Sequence, residues 1–384
     1  MGPSARAVLL ISVLSLVLLP GTPRVQATLL VPQPGVPPEE PSKPTTRTLT
    51  IEDLEKLVAK NPTSVPAYEL LGLAYLTKGD PVKATETFRR IEAVAPKSPR
   101  GPYLVGVGLR AQNKPDEARR AFETALVLAP GSAEALAQLV SMDLAAGHPD
   151  VALERVKAQV SQAPNAPGLY QVLGRTHEAR REPGPAESAF RKAIELDPRS
   201  VSAYADLVRL YAATGQVDDA LTTVAEGLKV SPRDAGLLFT AGTLHERKGN
   251  VPEARDAYER ALAANPRLAM AANNLAYLLA EHGGDPDRAL ELARRAKREA
   301  PADPHVSDTL GWILYKRGTY QEALPLLRQS AAALRDPVVQ YHQGMAAFKT
   351  GDQGTAREAL TRALSSPTSF PGRAEAERVL SELK

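Results

Sequence analysis

The chain has 384 residues, 43% of them hydrophobic and 24% charged, with 33 Pro, 26 Gly and no Cys. That balance belongs to a folded chain, and zero Cys excludes a disulfide scaffold, a Cys-ligated zinc site, a thiol nucleophile and a lipid-bearing cysteine. A formal net charge of +3 gives no electrostatic drive toward nucleic acid or an anionic membrane, so neither is expected as a partner.

Residues 1–27 read as a secretory signal. Arg6 supplies the positive start, Ala7 to Leu19 is a largely apolar run ended by Pro20, and Val25-Gln26-Ala27 places small residues for cleavage between Ala27 and Thr28. The run is shorter than the roughly 20 residues a bilayer span needs. No stable membrane insertion is expected once the signal is removed; an uncleaved anchor is the alternative. The expected location is periplasmic or secreted, and the chain is not a lipoprotein. Residues 28–48 carry Pro at 32, 34, 37, 38, 41 and 44 and read as a Pro-rich disordered linker. In 49–62, Ile51, Leu54, Leu57 and Val58 predict an amphipathic half-repeat helix that serves as an N-terminal cap.

The rest of the chain is periodic. Pro62, Pro96, Pro130, Pro164, Pro198, Pro232 and Pro266 stand 34 residues apart, and Pro301, Pro337 and Pro371 continue the ladder at spacings of 35, 36 and 34. An alanine column, Ala84, Ala118, Ala152, Ala186, Ala220, Ala254, Ala289, Ala323 and Ala356, runs through the same units. Five residues ahead of it lies a turn column of Gly79, Asn113, Gly147, Gly215, Gly249, Gly284, Gly318 and Gly351. These residues tolerate the left-handed conformation that closes a helix. Arg181 departs, and Pro183-Gly184-Pro185 is expected to supply a different break there. Tyr68, Leu71, Gly72 and Tyr75, then Ala84, Phe88 and Ile91, fall at helical spacing. Each period therefore predicts helix, Gly turn, helix, Pro-marked turn. A single such hairpin cannot bury its own apolar face, so stacked neighbours must cover it.

Repeat 1 reads Tyr68, Leu71, Gly72, Tyr75, Ala84, Phe88, Pro96; repeat 4 reads Tyr170, Leu173, Gly174, Ala186, Phe190, Ala193, Pro198. Repeat 3 is weakest, with Val140 and Asp143 at the usual Gly and Tyr places. The pattern resembles the tetratricopeptide repeat (TPR), W/Y-x2-L-G-x2-Y…A-x3-F…P at 34 residues. Nine repeats start at 65, 99, 133, 167, 201, 235, 269, 304 and 337 and fill 65–371; Ala376, Val379, Leu380 and Leu383 predict a capping helix in 372–384. The resemblance implies an all-α TPR solenoid, a right-handed superhelix with capping helices, that is not an enzyme and needs no cofactor. It implies an exported scaffold holding a protein or peptide partner in its concave groove, within a bacterial envelope complex. A narrower resemblance lies in 270–384: Asn273-Asn274-Leu275-Ala276-Tyr277, Asp308-Thr309-Leu310-Gly311-Trp312, and Phe370 with Ala374-Glu375-Ala376. It is similar to TPR proteins of exosortase (PEP-CTERM) and exopolysaccharide systems, which implies the alternative of a polysaccharide-binding or export-assisting module.

Motifs for chemistry are sparse. Gly106-Val107-Gly108 lacks the third Gly of a nucleotide loop, follows no strand, and puts Gly106 at the repeat's own Gly position. His177 and His245 share one repeat position and are expected to pack between helices rather than to bind metal, so no metal site is expected. Arg294-Arg295 and Lys297-Arg298 read as a solvated face. In the TPR family, helix-A positions 2, 5, 9, 12 and 13 line the groove. Carried over, the early repeats offer Leu73, Leu76, Val107, Ser141, Ala205 and Ala212, a bland set. The later repeats offer Phe239, Asn273, Tyr277, Asp308, Trp312, Tyr315, Lys316, Tyr341, Phe348 and Lys349, and these are the candidate partner-binding residues. Position 5 holds no Lys, so the clamp for carboxylate-ended peptides is not expected. An asparagine ladder at position 6 is reduced to Asn274.

Overall fold

The computed structural model describes residues 49–383, so the signal, its cleavage site at Ala27 and Thr28, and the linker lie outside the described residues. Among those residues there are twenty α-helices and no strand, which is the all-α repeat class the period predicts. The chain divides into two compact units at Pro198 and Arg199.

The first unit opens with α1 (Ile51–Lys60) and continues as four hairpins. These are α2 (Val65–Lys78) with α3 (Pro81–Val94), α4 (Arg100–Ala111) with α5 (Pro115–Leu128), α6 (Ala133–Ala145) with α7 (Pro149–Gln162), and α8 (Pro167–Ala179) with α9 (Pro183–Leu196). The second unit holds five hairpins and a closing helix. They are α10 (Val201–Ala213) with α11 (Val217–Val230), α12 (Ala235–Arg247) with α13 (Val251–Ala264), α14 (Ala269–Glu281) with α15 (Pro286–Glu299), α16 (Pro304–Lys316) with α17 (Tyr320–Ala333), α18 (Pro337–Lys349) with α19 (Gln353–Leu364), and finally α20 (Arg373–Glu382).

The proline ladder acts through the residue before each rung. A proline ring disfavours helical dihedrals in its predecessor. Asn61 accordingly sits at φ −132°, ψ 69° before Pro62, and Ala129 at φ −143°, ψ 89° before Pro130, each as the C-cap of its helix. Pro337 differs from the other rungs up to that point: it is the first residue of α18, behind the N-cap Asp336. There its missing N–H costs nothing. Two further expectations are corrected. The left-handed residue between α14 and α15 is Gly283, not Gly284, which instead packs against Leu279. Arg181 itself adopts φ +61°, so the turn between α8 and α9 keeps the common geometry, while Pro183 opens α9.

Close packing within the hairpins follows a size rule. The alanine column is fully buried. Facing it, Gly72, Gly106, Gly174 and Gly242 sit under the rings of Phe88, Phe122, Phe190 and Tyr258; a Cβ built on any of them would lie 2.2–2.5 Å from the ring. Where the small member grows, the large one shrinks: repeat 3 carries Val140 and Val156, and repeat 5 Val208 and Val224. Cores near crystal density tolerate such swaps only if summed volume is kept. The weak repeat 3 is thus a compensated one. Asp143, at its Tyr place, is buried and accepts from Arg119 Nη1 at 2.6 Å and Arg155 Nε at 2.8 Å, tying α6 to α5 and α7. Burial alone would raise the Asp143 carboxyl, but the two arginine hydrogen bonds hold it below the usual carboxylate range.

Candidate functional site

In the second unit the first helices of successive hairpins lie side by side, α14 against α16 and α16 against α18. They enclose a pocket of about 400 Å³. Met270, Asn273, Asn274 and Tyr277 come from α14, His305, Asp308 and Thr309 from α16, Val338, Val339 and His342 from α18, with Asp336 at the start of α18 and Glu246 from α12. Helical periodicity brings these side chains to one face, because residues three and four apart share a stripe.

Three of the ten predicted groove residues, Asn273, Tyr277 and Asp308, line this pocket. Asp308 Oδ2 pairs with His342 Nδ1 at 3.0 Å, and His342 stacks on Trp312 with centroids 3.9 Å apart. Trp312 also stacks on Tyr315 at 4.7 Å, and its Nε1 donates to Glu281 Oε1 at 2.8 Å. Lys316 pairs with the same Glu281 at 2.7 Å and lies over the indole. Trp312 is only 7% exposed and Tyr341 4%, so both are packed side chains supporting the pocket wall. Tyr341 donates to Glu375 Oε2 at 2.6 Å and leans on Phe370. Phe239 is half-buried against Tyr258, Phe348 is half-buried on the core, and Lys349 is exposed.

A second chain of hydrogen bonds runs along the opposite wall. Asn273 Nδ2 donates to Asn274 Oδ1 at 3.3 Å, Asn274 Nδ2 to the Tyr258 hydroxyl at 3.1 Å, and that hydroxyl to Glu246 Oε2 at 2.8 Å. Burial, then the nearby Glu281 and Asp308 carboxylates, push the Tyr277 phenol up to about 12, so it stays a neutral donor. Asn273 Oδ1 and Asp308 Oδ1 are buried acceptors that meet no donor. Sequence reasoning missed His342, His305 and Glu246. His342 falls at repeat position 6, which the carried-over groove set does not include, and only its stacking on Trp312 and pairing with Asp308 reveal its place.

Among the described residues no group of three or more His, Asp or Glu side chains is placed to hold a metal ion. Among them, too, no helix is long and apolar enough to cross a membrane.

Comparison with known proteins points one way. A profile described as tetratricopeptide repeat matches residues 51–99, 171–237, 205–269, 239–304 and 309–374, and a second of the same description matches 109–176. A TPR repeat-containing protein of Pseudomonas aeruginosa is 38% identical over 76 residues, which is 20% of this chain and 13% of that protein's length. Among solved structures, the APC/C hetero-tetramer Cut9-Hcn1 matches at TM-score 0.53 and 16% identity, over 88% of this chain and 67% of that one, a likeness of fold. A tetratricopeptide repeat protein from Parabacteroides merdae ATCC 43184 matches at TM-score 0.47 and 17% identity, over 66% of this chain and 98% of that one.

Proposed function

Because the chain belongs to the tetratricopeptide-repeat family, whose members are generally non-catalytic scaffolds, we propose that it is an exported scaffold whose helix-A face in repeats 6–9 holds a protein partner, within a bacterial envelope complex. The observation that carries the reading is the pocket between α14, α16 and α18, where buried acceptors stand without donors. Helices packed this closely present their side chains already ordered, so a partner loses little to conformational entropy on their account. Export rests on residues 1–27, with Ala27 and Thr28 flanking the cleaved bond. The polysaccharide alternative comes from the narrower resemblance in 270–384, and stacking on sugar rings would need free aromatic faces. Trp312 and Tyr341 spend theirs on neighbouring side chains, which favours a protein partner.

A photo-crosslinking amino acid at exposed His305, compared with one at exposed Arg294 on α15, tests the reading. The expected result is one partner protein crosslinked from His305 and not from Arg294. Equal crosslinking from both positions, or from Arg294 alone, removes the groove as the partner surface. N-terminal sequencing of the exported chain should begin at Thr28.

A further inference from the structure

The pocket wall has an uneven chemistry. Three carboxylates line it, Glu246, Asp308 and Asp336, and no Lys or Arg does. Glu246 is held by Tyr258, and one oxygen of Asp336 caps α18 through the N–H groups of Val338 and Val339. Asp308 is different. Its Oδ2 is fixed by His342, and its Oδ1 meets no donor although the residue is 91% buried, being 9% exposed. Asn273 repeats the situation from the facing helix: it is 6% exposed, its amide nitrogen is used by Asn274, and its Oδ1 is unpartnered. Native structures rarely leave such atoms unmet.

We propose that this pocket seats a cationic side chain, a lysine ammonium or an arginine guanidinium, presented by an extended segment of a protein partner. The inference rests on the reading of this groove as the partner surface and names what the partner must bring. Lys and Arg carry a long apolar stem and a head made only of donors. The pocket offers the counterpart: Met270, Tyr277 and Val338 along the stem, and the Asp308 and Asn273 acceptors at the head. A carboxylate from the partner would face three like charges. A neutral donor would satisfy one acceptor and leave the negative charge uncompensated. His342, wedged between Asp308 and Trp312, acts as a positioning residue that fixes the carboxylate.

The test uses the full chain and a displayed library of random 12-residue peptides, selected on the wild type and counted again on Asp308→Asn. The expected result is one position enriched in Lys or Arg on the wild type and not on the variant. A synthetic peptide from the selection should weaken at least tenfold when that residue becomes norleucine, and several-fold on Glu246→Gln. The norleucine arm requires no change in the protein, so it stands even if Asp308→Asn fails to fold by circular dichroism. Selected peptides that compete for the groove yet carry no enriched base overturn the inference and leave the scaffold reading intact. Peptides that crosslink away from His305, or a library without binders, overturn both. Displacement of the peptide by chitosan oligomers that bind more tightly than it does overturns the protein partner in favour of a cationic glycan.

Discussion

Gly106→Ala separates two opposed forces in the hairpin core. Gly106 lies inside α4, where alanine is the better helix former by about 1 kcal/mol. Propensity alone therefore predicts a more stable protein. The packing predicts the reverse. A Cβ at 106 would stand 2.5, 2.7 and 2.9 Å from three atoms of the Phe122 ring, against an ordinary carbon contact of roughly 3.5–4.0 Å. The ring must retreat by about 1 Å, and it is fully buried and tilted against Tyr103 at 5.9 Å. Overpacking of this kind costs roughly 1–3 kcal/mol, so after the helix gain the net loss is about 1 kcal/mol. Phe122→Leu alone opens a cavity and costs about 1–2 kcal/mol. Together the two changes move bulk from the ring position to the glycine position, as Val140 and Val156 do in repeat 3. The double variant should therefore exceed the sum of the singles by about 1 kcal/mol or more. Urea unfolding followed by far-ultraviolet circular dichroism gives the energies, and hydrogen exchange in α4 and α5 localises them, since repeat arrays can open in parts. Gly184, with nothing within 4 Å of a built Cβ, is the control, and Gly184→Ala should cost nothing. A Gly106→Ala protein about 1 kcal/mol more stable than wild type would refute the size rule.

Asp143→Asn should cost about 2–3 kcal/mol: less than the roughly 3–5 of a fully buried pair, because Arg119 and Arg155 are 30% and 24% exposed and Arg155 keeps Glu123. Since the folded-state carboxyl is depressed, its stabilisation is complete above the ordinary carboxylate range and is lost as pH falls through the folded value, so the variant's acid unfolding limb should be flatter in a pH series of urea midpoints. Arg181→Gly relieves a left-handed non-glycine residue and should stabilise by up to about 1 kcal/mol in the same assay; a loss of that size would assign Arg181 a contact beyond its backbone. The chain has a single Trp, and Glu281 holds its indole nitrogen, so Glu281→Gln should shift the emission maximum of the folded protein while leaving its helical signal unchanged.

The fold was legible because it is written many times. One proline that ends a helix is ambiguous, but the predecessors of Pro62, Pro96, Pro130, Pro164, Pro198, Pro232, Pro266 and Pro301 are all helix C-caps, and the spacing alone announces this. What the period hides is local exchange. Gly283 takes the left-handed turn in place of Gly284 because it keeps the 34-residue spacing from Gly249, while the extra residue of the longer repeat follows the turn and displaces Ala289, so a column counted back from that alanine lands one place late. The groove was legible as a face and not as a site. Helix-A numbering put Asn273, Tyr277 and Asp308 there, but it put Trp312 and Tyr341 there too, and side-chain direction turns those two into the stack behind the wall.

Departures from the repeat consequently divide into two kinds, and the division has functional meaning. In repeat 3, Val140 is answered by Val156, and Asp143 by Arg119 and Arg155: every irregular group finds its complement inside the unit, so the irregularity is architecture. In repeats 7 and 8, Asn273 and Asp308 are equally irregular and equally buried, yet each keeps an acceptor that nothing in the described chain meets. A core that can place two arginines around one aspartate has the means to satisfy these as well. Their open valence is therefore better read as a requirement placed on the partner, and a Lys or Arg that docks there completes the same kind of pairing that Asp143 completes within the chain.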